Sequence, residues 1–172
     1  MKNGLKLVLL AAFLIGGSTL MGQQVKLGYL NSQEVFLAMP ERDSAMVKLE
    51  KFQKELVEQL ELVEVELNQK YAEYQKNYST YNETVRAMKG KEMEDIQNRL
   101  QEMNTQAQQD LQTQQQLLLS PIIQKLNESI QKVGKANNFT AVFDSAGGAM
   151  LYFDESAMTD MAPMVKKELG IQ

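Results

Sequence analysis

The side chains that usually carry chemistry are mostly missing from this chain. Its 172 residues include no Cys and no His. That removes thiol nucleophiles, Cys/His zinc sites, the Ser-His-Asp arrangement and the usual neutral-pH proton shuttle. Asp144, Asp154 and Glu155 are the one acidic grouping that could suggest a metal. They stand at predicted strand ends beside turns, where Asp is common because its carboxylate bonds the local backbone. No Gly-rich loop followed by Lys-Ser/Thr is present to cradle phosphate. The chain therefore reads as a non-enzyme without metal or other cofactor. What remains is contact chemistry. Tyr71, Tyr74, Tyr78 and Tyr81 form a ladder of large rings with polar tips. Met88, Met93 and Met103 add soft, adaptable surface of the type promiscuous binders use. The same residues could equally pack between helices.

The elements that must position them are long. Leu49, Phe52, Leu56, Leu60, Val63 and Leu67 run into the Tyr ladder and then Val85 and Met88, always 3 or 4 residues apart. That spacing is an unbroken helix stripe. Steps of eleven residues early and seven late predict a seam that is straight or slightly right-handed first and left-handed farther on. A second stripe runs from Met93 through Ile96, Leu100, Met103, Ala107 and Leu111 to Leu118, Ile122, Leu126, Ile130 and Val133, with Gln114 at the missing beat. If both helices start and end on one platform, the turn lies midway between residues 41 and 137. Lys89-Gly90-Lys91 is then the tip, with residues 79–84 as an earlier alternative.

The ends of the chain supply that platform. Gln24 to Leu30 alternates, with Val25, Leu27 and Tyr29 on the face expected to be buried. Asn31 to Glu34 has the form of a capping box, and Pro40 suits the start of the next helix. Phe139 to Asp144 and Ala149 to Phe153 read as two strands joined by Ser145-Ala146-Gly147-Gly148, a hairpin. A last helix carries Met161, Met164, Val165 and Leu169 and closes at Gly170. The fold class is α+β: residues 41–137 form a long antiparallel helical hairpin, and residues 23–40 with 138–172 form a small β-rich body. Three strands and two short helices bury little apolar area, so self-association through Val25, Leu27, Tyr29, Phe139, Phe143, Leu151 and Phe153 is expected to close the body.

At the N-terminus, Lys2 and Lys6 precede an apolar run from Leu5 to Ile15 and small residues from Gly16 to Thr19. This is the pattern of a cleaved secretory signal peptide, and the run is too short to span a bilayer. Cleavage after Gly22 removes two of the 18 basic residues and leaves 16 against 22 acidic ones. Nucleic acid is an unsuitable partner for that charge.

The layout resembles the Skp/OmpH family of periplasmic chaperones over essentially the full chain. The signal peptide, Gly28 to Val35, the long arm pair, Ser120-Pro121-Ile122-Ile123, and above all Asn138 to Asp144 through Leu169-Gly170-Ile171 carry the resemblance. It implies a homotrimer whose strands form a small β-barrel, with three helical hairpins enclosing a cavity. It also implies that unfolded outer-membrane proteins are held there without ATP. The Gln-rich second arm looks more like Bacteroidetes-type members than the enterobacterial one. Well-studied members are strongly basic, whereas residues 41–138 here hold 13 basic and 16 acidic side chains. Long-range steering of acidic clients is therefore not expected. Arg86, Lys89, Lys91 and Arg99 leave room for a weak membrane-surface contact at the arm tips. The rival reading is a coiled-coil spacer or envelope scaffold without chaperone activity. A spacer favours sustained heptads and has no use for terminal strands.

Overall fold

The structure, a computed structural model, describes residues 25–171; the predicted signal peptide lies outside them. The chain opens with β1 (Leu27–Leu30), continues through α1 (Ser32–Leu37), α2 (Pro40–Asn77) and α3 (Glu83–Ala136), and reaches β2 (Ala141–Asp144). A single 3-10 turn at Glu155–Ala157 leads to β3 (Thr159–Asp160) and α4 (Ala162–Leu169). The architecture is a long helical hairpin on a small three-stranded sheet.

Local signals explain the element starts. Asn31 caps α1 by accepting from the Glu34 N–H at 3.0 Å. Glu34 does not complete the capping box; its carboxylate takes Lys166 at 2.7 Å and ties α1 to α4. Pro40 opens α2 in its first turn, where no N–H partner is lost. At the far end of α3, Asn138 takes the left-handed conformation (φ 55°) that helix ends require. Gly170 does the same for α4.

The turn between the arms is at Tyr78 to Asn82, not at Gly90, which lies inside α3. Asn77 ends α2 by accepting the Thr80 hydroxyl at 2.8 Å and the Thr80 and Tyr81 N–H groups at 2.9 and 3.2 Å. Asn82 then caps α3 through the Val85 N–H at 2.9 Å. The turn does not lie at the midpoint because the helices are unequal. At 38 and 54 residues they differ by 16, about 24 Å of helix. Cross-hairpin ion pairs fix the register: Lys70–Glu92, Lys89–Glu73, Arg99–Glu66 and Lys125–Glu41 all have sequence midpoints of 81–83. The excess length of α3 therefore runs past the start of α2 into the body. There Ile122, Leu126 and Val133 join Leu30, Val35, Met39, Met161 and Val165 in the one core cluster. Pro121 interrupts none of this and stays within α3.

The sheet departs from expectation in two ways. It is parallel throughout, in the order β2-β1-β3, with Tyr29 beside Phe143 and Asp160. The long hairpin is thus the crossover between β1 and β2. Secondly, residues 149–153 form no strand. The Asp144 carboxylate accepts from the Ala146 N–H at 3.0 Å and turns the chain off the end of β2. Phe153 then comes over the sheet and meets the Tyr29 ring at 4.6 Å.

The buried face of β1 is also the other one. Gly28 and Leu30 are buried, while Leu27 and Tyr29 are half-exposed. Gly28 permits this. A Cβ there would lie 2.5 Å from Met161 Sδ and 3.0 Å from the Phe139 ring. The missing side chain lets Met161 and Phe139 close over that face. Because side chains alternate along a strand, the choice turns Leu27 and Tyr29 outward.

Candidate functional site

Both expected contact regions can now be placed. On the arms, the Tyr ladder divides. Tyr74 and Tyr81 are half-buried in the seam, with ring centres 6.4 Å apart, whereas Tyr71 and Tyr78 are exposed. Tyr78 meets Tyr74 edge-on at 5.5 Å. The Arg86 guanidinium covers its other side at 4.3 Å. Tyr81 donates its hydroxyl to Glu73 at 3.3 Å, and Tyr71 accepts from Gln75 at 3.0 Å. Met93 and Met103 belong to the seam; Met88 is free of it and exposed. Tyr71, Tyr78 and Met88 are therefore available for contact, and the other four of the seven hold the helices together.

The arms expose further apolar residues that periodicity did not single out. Val57, Leu62 and Val65 on α2 and Leu117 and Ile123 on α3 stand outside the seam. Each falls between beats of the stripe, so a rule that assigns every apolar residue to one face passes over them. Beyond the base of the hairpin, Ile96 is the one fully buried arm residue among those described. The seam is narrow, and its flanks stay open.

The basic residues near the tip are not free. Lys89 pairs with Glu73 at 3.3 Å and Glu92 at 3.5 Å, and its hydrogen bond to Glu73 holds it above the usual lysine range. Glu92 is held below the usual carboxylate range, first by its hydrogen bond from Lys70 at 2.6 Å. Lys91 takes Asp95 at 3.0 Å and Glu94 at 3.3 Å, and Arg99 takes Glu66. Arg86 is committed to Tyr78. These pairs neutralise the patch read from the sequence as a membrane contact. The turn itself, Tyr78 to Asn82, carries no charge.

In the body, the outward face of the sheet is formed by Leu27, Tyr29 and Phe143, of which Phe143 is exposed. Phe153 lies over Tyr29, Leu151 is 97% exposed and its neighbour Tyr152 85%. Val25, before β1, is also exposed. Phe139 belongs to the opposite, inward face, where Lys26 caps its ring at 4.2 Å. Of the seven residues named for the body, Val25, Phe143 and Leu151 are exposed, Leu27, Tyr29 and Phe153 are half-buried, and Phe139 faces inward; Tyr152 is exposed beside Leu151.

Asp144 and Asp154 do what Asp does beside turns. Asp144 accepts from the Ser32 N–H at 3.0 Å and the Ser32 hydroxyl at 2.5 Å. Burial works against its ionisation, but the hydrogen bonds from Ser32 and Ala146 outweigh that and hold it below the usual carboxylate range. Asp154 accepts from Ser156 and caps the 3-10 turn. Among the described residues no helix is long and apolar enough to cross a membrane.

Comparison with known proteins agrees with this architecture. No curated protein sequence matches the chain. A crystal structure from Caulobacter crescentus CB15, of a candidate outer membrane chaperone (OmpH-like), superposes with a TM-score of 0.72. It covers 83% of this chain and 82% of its own at 16% identity, and so shares the fold. Residues 26–169 match the family described as Outer membrane protein (OmpH-like), a span that takes in the sheet, both arms and α4. The chain belongs to the OmpH-like family.

Proposed function

We propose that this protein is a periplasmic holdase that captures unfolded outer-membrane proteins without ATP and keeps them from aggregating. The OmpH-like family and the chaperone description of the Caulobacter structure support the general role. The observation that carries the finer reading is the surface left open. An arm of 38 residues reaches about 57 Å, and Tyr71, Tyr78, Met88, Leu62 and Leu117 are exposed along the hairpin. Such scattered, weak apolar contacts suit clients with no fixed shape. On this reading the protein acts by binding.

The body supplies the assembly. An apolar sheet face of Leu27, Tyr29 and Phe143, an exposed Leu151-Tyr152 segment, and unpaired outer edges on β2 and β3 are costly in a monomer. A homotrimer closing these surfaces against one another, with its three arms around a cavity, accounts for all of them. The test is aggregation of an urea-unfolded outer-membrane barrel followed by light scattering, beside sedimentation of the chaperone. The expected result is a trimer at micromolar concentration that suppresses scattering without nucleotide. A monomer, or scattering unchanged at several-fold excess, overturns the reading.

A further inference from the structure

The two arm helices differ in their outward chemistry. On α2 the solvent face is charged and self-paired, with Lys51–Glu55 at 3.7 Å and Lys54–Glu58 at 3.8 Å. On α3 a different stripe runs along an exposed face: Asn98, Gln101, Thr105, Gln109, Gln112 and Gln116. Their gaps are 3, 4, 4, 3 and 4, so they lie in one line. Ser120, Ile123 and Asn127 continue the line toward the body at gaps of 4, 3 and 4. None of the nine is charged. Two shallow, open stretches of surface lie along it, one bounded by Asn98, Gln101, Glu102, Thr105, Gln106 and Gln109, the other by Ser120, Ile123, Gln124, Asn127, Glu128 and Gln131.

Helix formation does not require these amides, since α2 is built as well from Glu and Lys. Nor do they hold the hairpin. Among the described residues, the side chains of Asn98, Gln101, Gln109, Gln112 and Gln116 make no hydrogen bond within the protein, and Thr105 bonds only the Gln101 carbonyl of its own helix. What the stripe offers is a row of carboxamides, each with an N–H donor and a carbonyl acceptor, the same pair that a peptide group presents.

We infer that this stripe is a hydrogen-bonding shelf for the backbone of an extended polypeptide, with Ile123 as its apolar end. The inference rests on the holdase reading and adds the contact chemistry of the arm. From residue 98 to 127 the shelf runs about 44 Å at 1.5 Å per residue. An extended chain rising roughly 3.3 Å per residue places about 13 residues along it. Backbone groups are common to every client, so such a shelf binds without reading sequence. Being neutral, it does not sort clients by charge. Exchange of water for peptide at each amide gains little, so holding stays weak and reversible.

The experiment uses the full mature protein and a variant carrying Q101A, Q109A, Q112A and Q116A. Ala preserves helix and neutrality and removes each carboxamide with the one methylene that carries it. A control removes Lys51 and Glu55 from the charged face of α2, also by Ala. Affinity for a urea-unfolded outer-membrane barrel is measured by fluorescence, with sedimentation alongside. The expected result is a Kd weakened by about fivefold or more in the amide variant, as small hydrogen-bond gains at four positions are lost, with the control and the sedimentation unchanged. Equal affinity of variant and wild type overturns the shelf and leaves the holdase standing. Altered sedimentation of the variant overturns it too, because the face then holds another copy of the chain. A wild type that does not bind the barrel at all overturns the holdase reading, and the shelf with it.

Discussion

Two glycines carry opposite costs, and substitution separates them. Gly90 sits inside α3, and a Cβ there meets nothing within 4 Å. Gly90→Ala should raise stability by roughly 0.5–1 kcal/mol, the usual Gly-to-Ala gain in a helix. A thermal melt decides it; destabilisation would return the turn to residue 90. Gly28→Ala should do the reverse. Its Cβ would press on Met161, which is fully buried, and overpacking of this type costs about 1–3 kcal/mol. Asp144 gives a pH signature. Its carboxyl is depressed in the folded chain, so the stability it contributes is present above the unfolded value near 3.8 and is lost as pH falls through the lower folded value. Asp144→Asn should cost about 1 kcal/mol at neutral pH, on the scale of hydrogen bonds lost to one partner. The gap between variant and wild type should narrow below about pH 4. A gap independent of pH between 3 and 7 would show that the carboxylate charge is irrelevant there.

The arm is an element whose register can be tested by shortening it. Cross-hairpin pairs place Leu60 opposite the neighbourhood of Met103, where Leu56, Leu60, Met103 and Ala107 surround a small gap of about 100 Å³. Deleting residues 61–103 and joining the ends by a short Gly-Ser loop therefore unites facing positions. The seam from Leu49 to Leu60 keeps its partners, and the product should fold with body and assembly intact. Deleting 67–114 instead, as a turn at residue 90 would suggest, leaves ends displaced by about 16 residues, roughly 25 Å of helix. That variant should melt lower and show less helix by circular dichroism. The first deletion should also fail to keep an unfolded barrel soluble, since Tyr71, Tyr78 and Met88 are gone. Full protection by it would place the client on the body or on the retained part of α3, which keeps Thr105 to Asn127.

For the whole molecule, the single-chain core and the uncovered sheet face are distinct surfaces, so folding and association should be separable. Phe143→Asp charges an exposed position, whereas Val165→Asp charges a fully buried one. The first should dissociate the proposed trimer while leaving most helix content. The second should unfold the body and the assembly together. Sedimentation with circular dichroism reads both, and loss of all helix in Phe143→Asp would merge the two surfaces. Salt tests the charge balance. With 13 basic and 16 acidic side chains in residues 41–138, and Lys89, Lys91 and Arg99 paired near the tip, client affinity should change by less than about tenfold between low and moderate salt.

The amino-acid sequence determined what depends on neighbours along the chain. Two 3-and-4 stripes marked the helices and most of the seam from Leu49 to Val133, because helix period is local; Tyr71, Tyr78 and Met88 keep the period but stand exposed. Asn31, Pro40, Asn138 and Gly170 marked element ends for the same reason. The Asn and Ser/Thr cluster at residues 77–82, ending in the cap Asn82, was a legible turn signal outweighed by a lone Gly and an assumption of equal arms. Only the tertiary structure could set the arm lengths, since that needs the last turns of α3, with Leu126 and Val133, to find the core of α1, α4 and β1. The sheet followed the same logic. Alternation in Val25 to Leu30 is symmetric to which face is inside, and Met161, more than 130 residues away, made the choice by packing on Gly28. The face it left open, Leu27, Tyr29 and Phe143, shows no difference in pattern from a buried one. The partners proposed for it lie outside the single chain, and no local period can report them.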